Sequence, residues 1–259
     1  AHPAGQINIK EGEVIYWVND PPQFKLRAIN IDKSLKTGRT VFDTVIRHHP
    51  KYDFMSSLFV NKDGSLTGVQ PGFHPETNKN QFHTLRNNIL SSHGEYPEIQ
   101  GIKRISDDVN VAPAISILNR TFITKHPNKD VYAMAMNYYE KLNIRDSEGN
   151  EIAEFIDHEK VVKYKADELF NFEGKFVGTK HSFYRYMEST DEYIITFYLN
   201  NQNKELRIFD WNGNGLYKIE LPDSFDIPMM VDHKRGWIYL RNQNNEGISR
   251  FNFYNLINE

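Results

Sequence analysis

Short apolar segments recur along the chain, and polar turns rich in Gly, Asn and Asp separate them. Three of these segments, residues 14–18, 193–195 and 237–240, are apolar on both faces of a strand. A strand in a two-layer sandwich alternates because one face is wet, whereas a strand covered on both faces reads as a continuous apolar run. No long amphipathic pattern separates the segments, and only residues 161–172 suggest a helical turn. The pattern therefore predicts an all-β fold with sheets covered on both sides.

A unit of strand, loop, strand, turn and strand repeats along the chain. Asp146 and Gly149 in "RDSEGNEI" recur at the same spacing as Asp210 and Gly213 in "FDWNGNGL", with matching apolar flanks. Five units are legible, and they start near Ile7, Leu58, Arg120, Tyr186 and Met229. Four-stranded propeller blades take ~40 to 50 residues, and the two wider spacings leave room for a further blade or long loops. The last copy stops before its turn. The repeat predicts a β-propeller of four-stranded antiparallel blades.

The turn at Asn212-Gly213 has two interpretations. Asn-Gly suits a two-residue hairpin turn, in which both central residues need positive φ. Residues 210–215 also satisfy the first six positions of a calcium loop, but Leu221 stands where the bidentate acid belongs and no helices flank the loop. The structural turn is therefore favoured. The same turn role is predicted for Glu148-Gly149, His93-Gly94 and Asp63-Gly64.

The segments "IFDWNGNGLYKIELP" and "DHKRGWIYLRNQNNEGISRFNF", with "SSHGEYPE" earlier, resemble the TolB-like six-bladed β-propeller proteins of Bacteroidetes. The resemblance runs from about Tyr52 to Phe253; Gly215 stands where these proteins usually have Pro. It implies six blades in one domain, residues 1–259, and an extracytoplasmic location in the periplasm or at the cell surface. It supplies no catalytic residues.

Composition narrows the possible partners. The net charge is −3, from 31 basic and 34 acidic residues, so no global field favours nucleic acid or an anionic membrane. The absence of cysteine excludes disulfides, thiolate zinc sites and cysteine nucleophiles. No segment approaches the ~20 apolar residues that span a bilayer, so we expect no membrane insertion of this chain, although a precursor could carry a lipid anchor. No cofactor, metal ligand or catalytic residue is predicted.

The most suggestive segment for ligand binding is "GTKHSFYRYMES", residues 178–189, which reads as the innermost strand of its blade. His181, Tyr184 and Arg185 would there offer hydrogen-bonding and stacking groups to a central channel. Packing in the core or between blades is the simpler alternative. His49 and Tyr52 lie in "IRHHPKYD", a predicted loop at a blade junction, where the simpler alternative is a surface histidine. These five residues are the predicted ligand-binding residues.

Two functions follow. The preferred hypothesis is a non-catalytic module that binds a glycan, a peptide or a protein partner through its loop face or channel. The alternative is a calcium-dependent hydrolase, lactonase or lyase, whose calcium ligands would come from several blades. No local motif of a nucleophile elbow, a zinc protease or a phosphate-binding loop is present to favour the enzyme.

Overall fold

The structure is a computed structural model of the chain. It describes residues 6–10, 12–20, 25–48, 55–70, 80–97, 99, 117–156, 164–169, 177, 182–200, 203–223, 225–232, 235–242 and 247–257. The chain divides into two compact units. The first contains Ala1–Glu95 together with Ser147–Gly149, and the second contains Tyr96–Asp146 together with Asn150–Glu259.

In the first unit, the described residues form two four-stranded antiparallel sheets, each with its strands in chain order. The first sheet consists of β1 (Gln6–Lys10), β2 (Glu13–Asp20), β3 (Lys25–Asn30) and β4 (Phe42–Arg47). The second sheet consists of β5 (Ser56–Val60), β6 (Leu66–Val69), β7 (Asn80–Arg86) and β8 (Ile89–Glu95). Both sheets contribute to one core, whose buried side chains are Ile15, Trp17, Leu26, Ala28, Met55, Leu58, Val60, Leu66 and Leu85.

The described part of the second unit contains three antiparallel sheets, again with strands in chain order. The third sheet consists of β9 (Thr121–Lys125), β10 (Val131–Met136), β11 (Lys141–Asp146) and β12 (Glu151–Ile156). The fourth sheet consists of β13 (Tyr184–Ser189), β14 (Tyr193–Asn200), β15 (Asn203–Asp210) and β16 (Gly215–Leu221). The fifth sheet consists of β17 (Phe225–Asp232), β18 (Trp237–Asn242) and β19 (Ile248–Asn252).

The fourth sheet is buried on both faces, which explains its continuous apolar runs. On β14, Ile194 and Tyr198 pack into a core shared with the third sheet, whereas Ile195 and Phe197 pack into a core shared with the fifth. Successive side chains of a strand point to opposite faces, so a run without alternation supplies both cores. The prediction of sheets covered on both sides is confirmed for this sheet.

The fold class is confirmed: the chain is all-β, with the antiparallel blades of a β-propeller. The first strands of the five sheets lie at or next to the five predicted unit starts, and the last unit has three strands, as the missing turn predicted. The described residues form five sheets, so the six blades that the resemblance implies are not confirmed.

The β15–β16 hairpin has a different turn type from the one predicted. Gly213 has a φ of +84°, but Asn212 is not among the described residues with positive φ. Gly213 N donates to Asp210 O at 3.2 Å, and Asp210 N donates to Asn214 O at 3.0 Å. These bonds define a three-residue loop, a type I turn followed by a left-handed Gly. The two-residue turn was wrong in length, although Gly is required at the predicted position.

An aspartate closes this turn and its counterpart in the third sheet. Asp210 Oδ1 accepts from Asn214 N at 2.9 Å, and its Oδ2 accepts from Asn214 Nδ2 at 2.8 Å. Asp146 accepts from Asn150 N and Asn150 Nδ2 in the same way, both at 2.9 Å. The repeated sequence Asp-x-x-Gly-Asn is therefore a turn in which the carboxylate replaces missing backbone partners.

The turn predicted at His93-Gly94 is wrong, because both residues lie inside β8. The hairpin of that sheet turns at Asn87 and Asn88, whose φ angles are 51° and 63°. They lie between the paired residues Arg86 and Ile89. This is the two-residue turn with two positive φ angles, which Asn tolerates because its short side chain can interact with the local backbone.

The first sheet carries a short helix that the apolar pattern did not predict, α1 (Ile31–Thr37). Asn30 caps its start by accepting from Lys33 N at 2.9 Å, and Gly38 ends it in the left-handed conformation. Two further short helices among the described residues are α2 (Ala166–Leu169) and α3 (Phe253–Ile257). No helix among the described residues has the length and apolar character needed to cross a membrane.

Candidate functional site

Two of the five predicted ligand-binding residues are described by the structure. Tyr184 and Arg185 open β13, the first strand of the fourth sheet. His49, Tyr52 and His181 lie outside the described residues. The structure therefore describes part of the predicted group His181, Tyr184 and Arg185, and it does not describe His49 and Tyr52.

The two described residues have different environments. Tyr184 is 0% exposed and belongs to the core shared by the third and fourth sheets, where its ring meets Tyr198 edge-on at 5.4 Å. Arg185 is half-buried, and its Nε donates to Ser182 Oγ at 2.6 Å. Tyr184 thus has the core position of the simpler alternative, and a ligand-binding role for Arg185 remains a prediction.

Tyr184 contacts Tyr198, which belongs to a buried charged cluster that was not predicted from the sequence. The Glu140 side chain is 0% exposed, and its Oε1 accepts from Arg207 Nη1 at 2.9 Å and from the Tyr198 hydroxyl. Arg207 Cζ lies 3.2 Å from the centroid of the Tyr198 ring, so the guanidinium also interacts with the aromatic face. Three side chains from separate segments thereby fix one another.

A second carboxylate completes the cluster. Arg207 Nε donates to Glu205 Oε2 at 2.9 Å, and Lys218 Nζ reaches Glu205 Oε1 at 2.9 Å. Two cations therefore offset two carboxylates. Glu140 Oε2 is buried and has no hydrogen-bond partner within the described residues.

The environment of the cluster fixes its protonation. Burial disfavours the phenolate of Tyr198, and its hydrogen bond to Glu140 adds to this effect, so the pKa of Tyr198 lies far above its usual value. Burial also disfavours the Arg207 cation, but interactions with Tyr198, Tyr184, Glu205 and Glu140 outweigh it and raise the pKa of Arg207. At neutral pH, Tyr198 is a neutral donor and Arg207 is charged. The charged groups of the cluster are paired with one another, so the cluster is suited to hold three strands in register.

A cleft of about 170 Å³ is formed by described residues of the first compact unit. Its lining residues are Thr84, Arg86, Asn87, Ile89, Ser91, Ser147 and Glu148. Two of them also fix its shape, because Thr84 Oγ1 donates to Ser147 O at 2.9 Å. The cleft is smaller than the ~300 to 1,000 Å³ pockets that enclose drug-sized ligands.

The only described cation that lines the cleft is held by two carboxylates. Arg86 Nε lies 2.9 Å from Asp63 Oδ2, and Arg86 Nη2 lies 2.8 Å from Glu148 Oε1. Its hydrogen bond to Glu148, together with the charges of Asp63 and Glu148, raises the pKa of Arg86. Hydrogen bonds from Ser65, helped by Arg86, lower the pKa of Asp63. Arg86 therefore remains a cation and Asp63 an anion at neutral pH.

Several polar groups of the cleft are available to a ligand. Asn87, Ser91 and Ser147 line it, and their side chains make no hydrogen bonds to the rest of the described chain. Ile89 is 69% exposed and adds an apolar surface beside them. An amide and two hydroxyls offer both donors and acceptors, so the cleft can bind a polar molecule without strong charge.

Possible metal ligands among the described residues are not clustered. No group of three or more His, Asp or Glu side chains among them is placed to hold an ion. Asp210 Oδ1 and Oδ2, which the calcium-loop interpretation would use, accept hydrogen bonds from Asn212 and Asn214. His83 is also engaged, since its ring nitrogens lie 2.9 Å from Ser92 Oγ and 3.1 Å from Asn80 O.

The sequence contained a signal for the buried cluster. Glu205 and Arg207 stand at alternate positions of β15, so they share a face with Phe209, and the intervening Leu206 and Ile208 are apolar. Two opposite charges on one face of a covered strand indicate a buried ion network, because such a face excludes solvent. The partner Glu140 is distant in sequence and carries no comparable local signal.

Comparisons with known proteins identify no family. No protein-family model matches the sequence, and neither does any curated protein. The resemblance to TolB-like propellers is therefore not confirmed at the level of the family.

Solved structures resemble the chain at low identity. One is a protein of unknown function from Desulfotomaculum acetoxidans, with 13% identity and a TM-score of 0.47, covering 98% of this chain and 67% of that one. Another is a Bacteroides fragilis protein thought to be exported, with 10% identity, a TM-score of 0.47 and coverage of 91% and 65%. A DUF4221 family member from Bacteroides vulgatus shows 11% identity, a TM-score of 0.48 and coverage of 92% and 75%. The chain thus spans about two thirds to three quarters of their lengths, and similarity at this level identifies no shared function.

Proposed function

We propose that the chain is a non-catalytic binding module, and that the cleft of the first compact unit contacts the ligand. The ligand is a small polar group, either free or at the end of a glycan or peptide. In this proposal residues 1–259 form one propeller domain that works outside the cytoplasm, as the resemblance to TolB-like propellers implies.

The cleft is the observation that carries the proposal. Its available groups are an amide, two hydroxyls and an aliphatic side chain, which bind ligands but are weak acids, bases and nucleophiles unless a neighbour activates them. Its charged groups, Arg86 and Glu148, hold each other. A site of this kind orients a ligand and leaves it chemically unchanged.

NMR of the 15N-labelled protein tests the proposal directly. Asn87 lines the cleft, and its side-chain amide resonance is assigned by its loss in Asn87→Gly, a change that keeps the positive φ of this turn position. A library of neutral sugars, amino acid amides and small dicarboxylates is screened, and we expect at least one class to shift the Asn87 resonance. A library that shifts no resonance of the cleft would refute the proposal.

A calcium titration separates the proposal from the enzyme alternative. An ion that binds only the folded chain raises Tm in proportion to the logarithm of its concentration above Kd. We expect the same Tm with excess CaCl2 and with EDTA. A calcium-dependent rise in Tm, with hydrolysis of a lactone or ester substrate, would support the hydrolase instead.

A further inference from the structure

We propose that the cleft binds one neutral sugar ring, as a single hexose or as the terminal residue of a glycan. This inference rests on the proposed function and deepens it, because it assigns a chemical class to the ligand. It is carried by the size of the cleft, its uncharged polar groups, its charge balance and its apolar edge.

The size of the cleft limits the ligand to one small unit. A volume of about 170 Å³ is well below that of pockets for drug-sized ligands. One sugar ring or one amino acid side chain fills such a space, whereas an oligosaccharide or an extended peptide would leave most of its length outside. The cleft therefore recognises the end of a chain or a single small molecule.

The uncharged polar groups favour a sugar over a side chain. The Asn87 amide has two donor hydrogens and an acceptor oxygen, and the hydroxyls of Ser91 and Ser147 both donate and accept. Neighbouring hydroxyls of a sugar ring need donors and acceptors side by side, since each hydroxyl does both. An amino acid side chain of similar size would leave most of these groups unpaired.

The charge balance disfavours anionic ligands. Arg86 would attract a phosphate or carboxylate if it were alone, but Asp63 and Glu148 both bind it. One positive and two negative charges leave this group with a net charge of −1 at neutral pH. A uronic acid or a phosphosugar would therefore be repelled, whereas a neutral hexose would not.

The apolar edge completes the match. Sugar rings carry C–H groups on their faces, and these pack against apolar side chains while the hydroxyls make hydrogen bonds. Ile89 is 69% exposed, so its burial by a ring face would remove apolar surface from water. The side chain follows directly after the Asn87–Asn88 turn, which places the amide and the apolar surface at the same hairpin.

Saturation-transfer NMR measures the binding of four probes: D-glucose, D-galactose, D-mannose and D-glucuronate. We expect transfer to at least one neutral hexose and weaker transfer to glucuronate. Loss of one hydrogen-bonding side chain weakens binding by about fivefold, so Asn87→Gly should raise the Kd of the hexose by that factor. Asn88→Gly is the matched control, because Asn88 also has positive φ in this turn but does not line the cleft.

Two further variants test the apolar edge and the charge. Ile89→Ser should weaken hexose binding, whereas Ile248→Ser, at a residue 62% exposed on β19, should not. Glu148→Gln removes one negative charge from the group around Arg86. It should therefore strengthen glucuronate binding relative to the neutral hexose.

The outcomes distinguish the inference from the proposed function. Equal hexose affinity of Asn87→Gly and Asn88→Gly, or tighter binding of glucuronate than of every neutral hexose by the wild type, would overturn the sugar assignment. If amino acid amides shift the Asn87 resonance and no hexose does, the binding function holds and the sugar class is wrong. If no probe reaches the cleft, both fail.

Discussion

Arg207 and Arg86 each bind two carboxylates, but Arg207 is mostly buried and Arg86 is exposed. A comparison of the two tests the role of the buried cluster. Each guanidinium uses Nε for one carboxylate and a terminal nitrogen for another. The Arg207 side chain is 11% exposed, whereas that of Arg86 is 44% exposed. The substitutions Arg207→Met and Arg86→Met remove the charge and keep an unbranched apolar stem.

The expected loss follows from the exposure of the partners. Glu140 and Glu205 are 0% and 3% exposed at their side chains, and without Arg207 they would be buried charges with less compensation. Removal of one partner from a buried ion pair costs about 3 to 5 kcal/mol of the free energy of unfolding. Asp63 and Glu148 are 45% and 58% exposed, so water replaces Arg86 and the loss should be a small part of that for Arg207→Met.

Urea unfolding followed by tryptophan fluorescence measures both losses. Trp17 reports on the first compact unit, and Trp211 and Trp237 report on the second. A shift of the urea midpoint at constant slope gives the change in stability. The measurement is made at about pH 8 and about pH 5, because burial without a cation raises the folded-state pKa of a carboxyl.

The pH dependence has a defined sign. A carboxyl whose folded-state pKa lies above its unfolded value binds a proton more tightly when folded, so the deficit of Arg207→Met is complete above that pKa and shrinks as the pH falls through it. We expect a smaller deficit at about pH 5 than at about pH 8. A loss no larger than that of Arg86→Met, or one that does not change with pH, would refute the role assigned to the cluster.

Two further predictions concern the repeated turns. Gly149→Ala should destabilise the chain by about 2 to 5 kcal/mol, because residue 149 has a φ that strains an L side chain and its new Cβ would meet the ring of His93. Gly64→Ala has a similar φ but open space around the Cβ, so it should cost about 1 to 2 kcal/mol. Equal shifts of the urea midpoint for the two variants would contradict the contact with His93. Burial acts to raise the pKa of Asp210, but hydrogen bonds from Asn214 and Asn212 outweigh it and lower the pKa below 3.8. The stability from this carboxylate is therefore complete above its unfolded pKa and disappears as the pH falls through the folded value, and a 13C NMR titration midpoint at or above 3.8 would disprove it.

The repeat made the fold predictable from sequence. Unit starts near Leu58 and Arg120 coincide with the beginnings of β5 and β9, because apolar runs and polar turns are local signals. The turn at Asn212-Gly213 was placed correctly but given the wrong length, since Asn-Gly favours a two-residue loop and Asp210 instead closes a three-residue one. Local preference located the turn, and the aspartate decided its geometry.

The candidate site was much less predictable. The polar and aromatic neighbours of Tyr184 in the sequence favoured a ligand-binding role, but its side chain is buried in the core shared by the third and fourth sheets. The cleft is lined by Arg86 and Glu148, which are paired in space but far apart in sequence. No local sequence motif therefore predicts it. A closer inspection of "LRNNIL" could have found the Asn87–Asn88 hairpin, because two adjacent asparagines between apolar runs tolerate the left-handed conformation.

The turn that ends β15 also bears on how the protein ages. An Asn-Gly step is prone to deamidation, because the Gly nitrogen attacks the Asn side chain and forms a cyclic imide. Here the Gly213 nitrogen donates to Asp210 O at 3.2 Å, and the Asn212 side chain is tethered to the Asp210 carboxylate at 3.4 Å. The closed hairpin should therefore protect Asn212 from deamidation. The rate at which isoaspartate accumulates at this position then measures how often this edge of the fourth sheet opens.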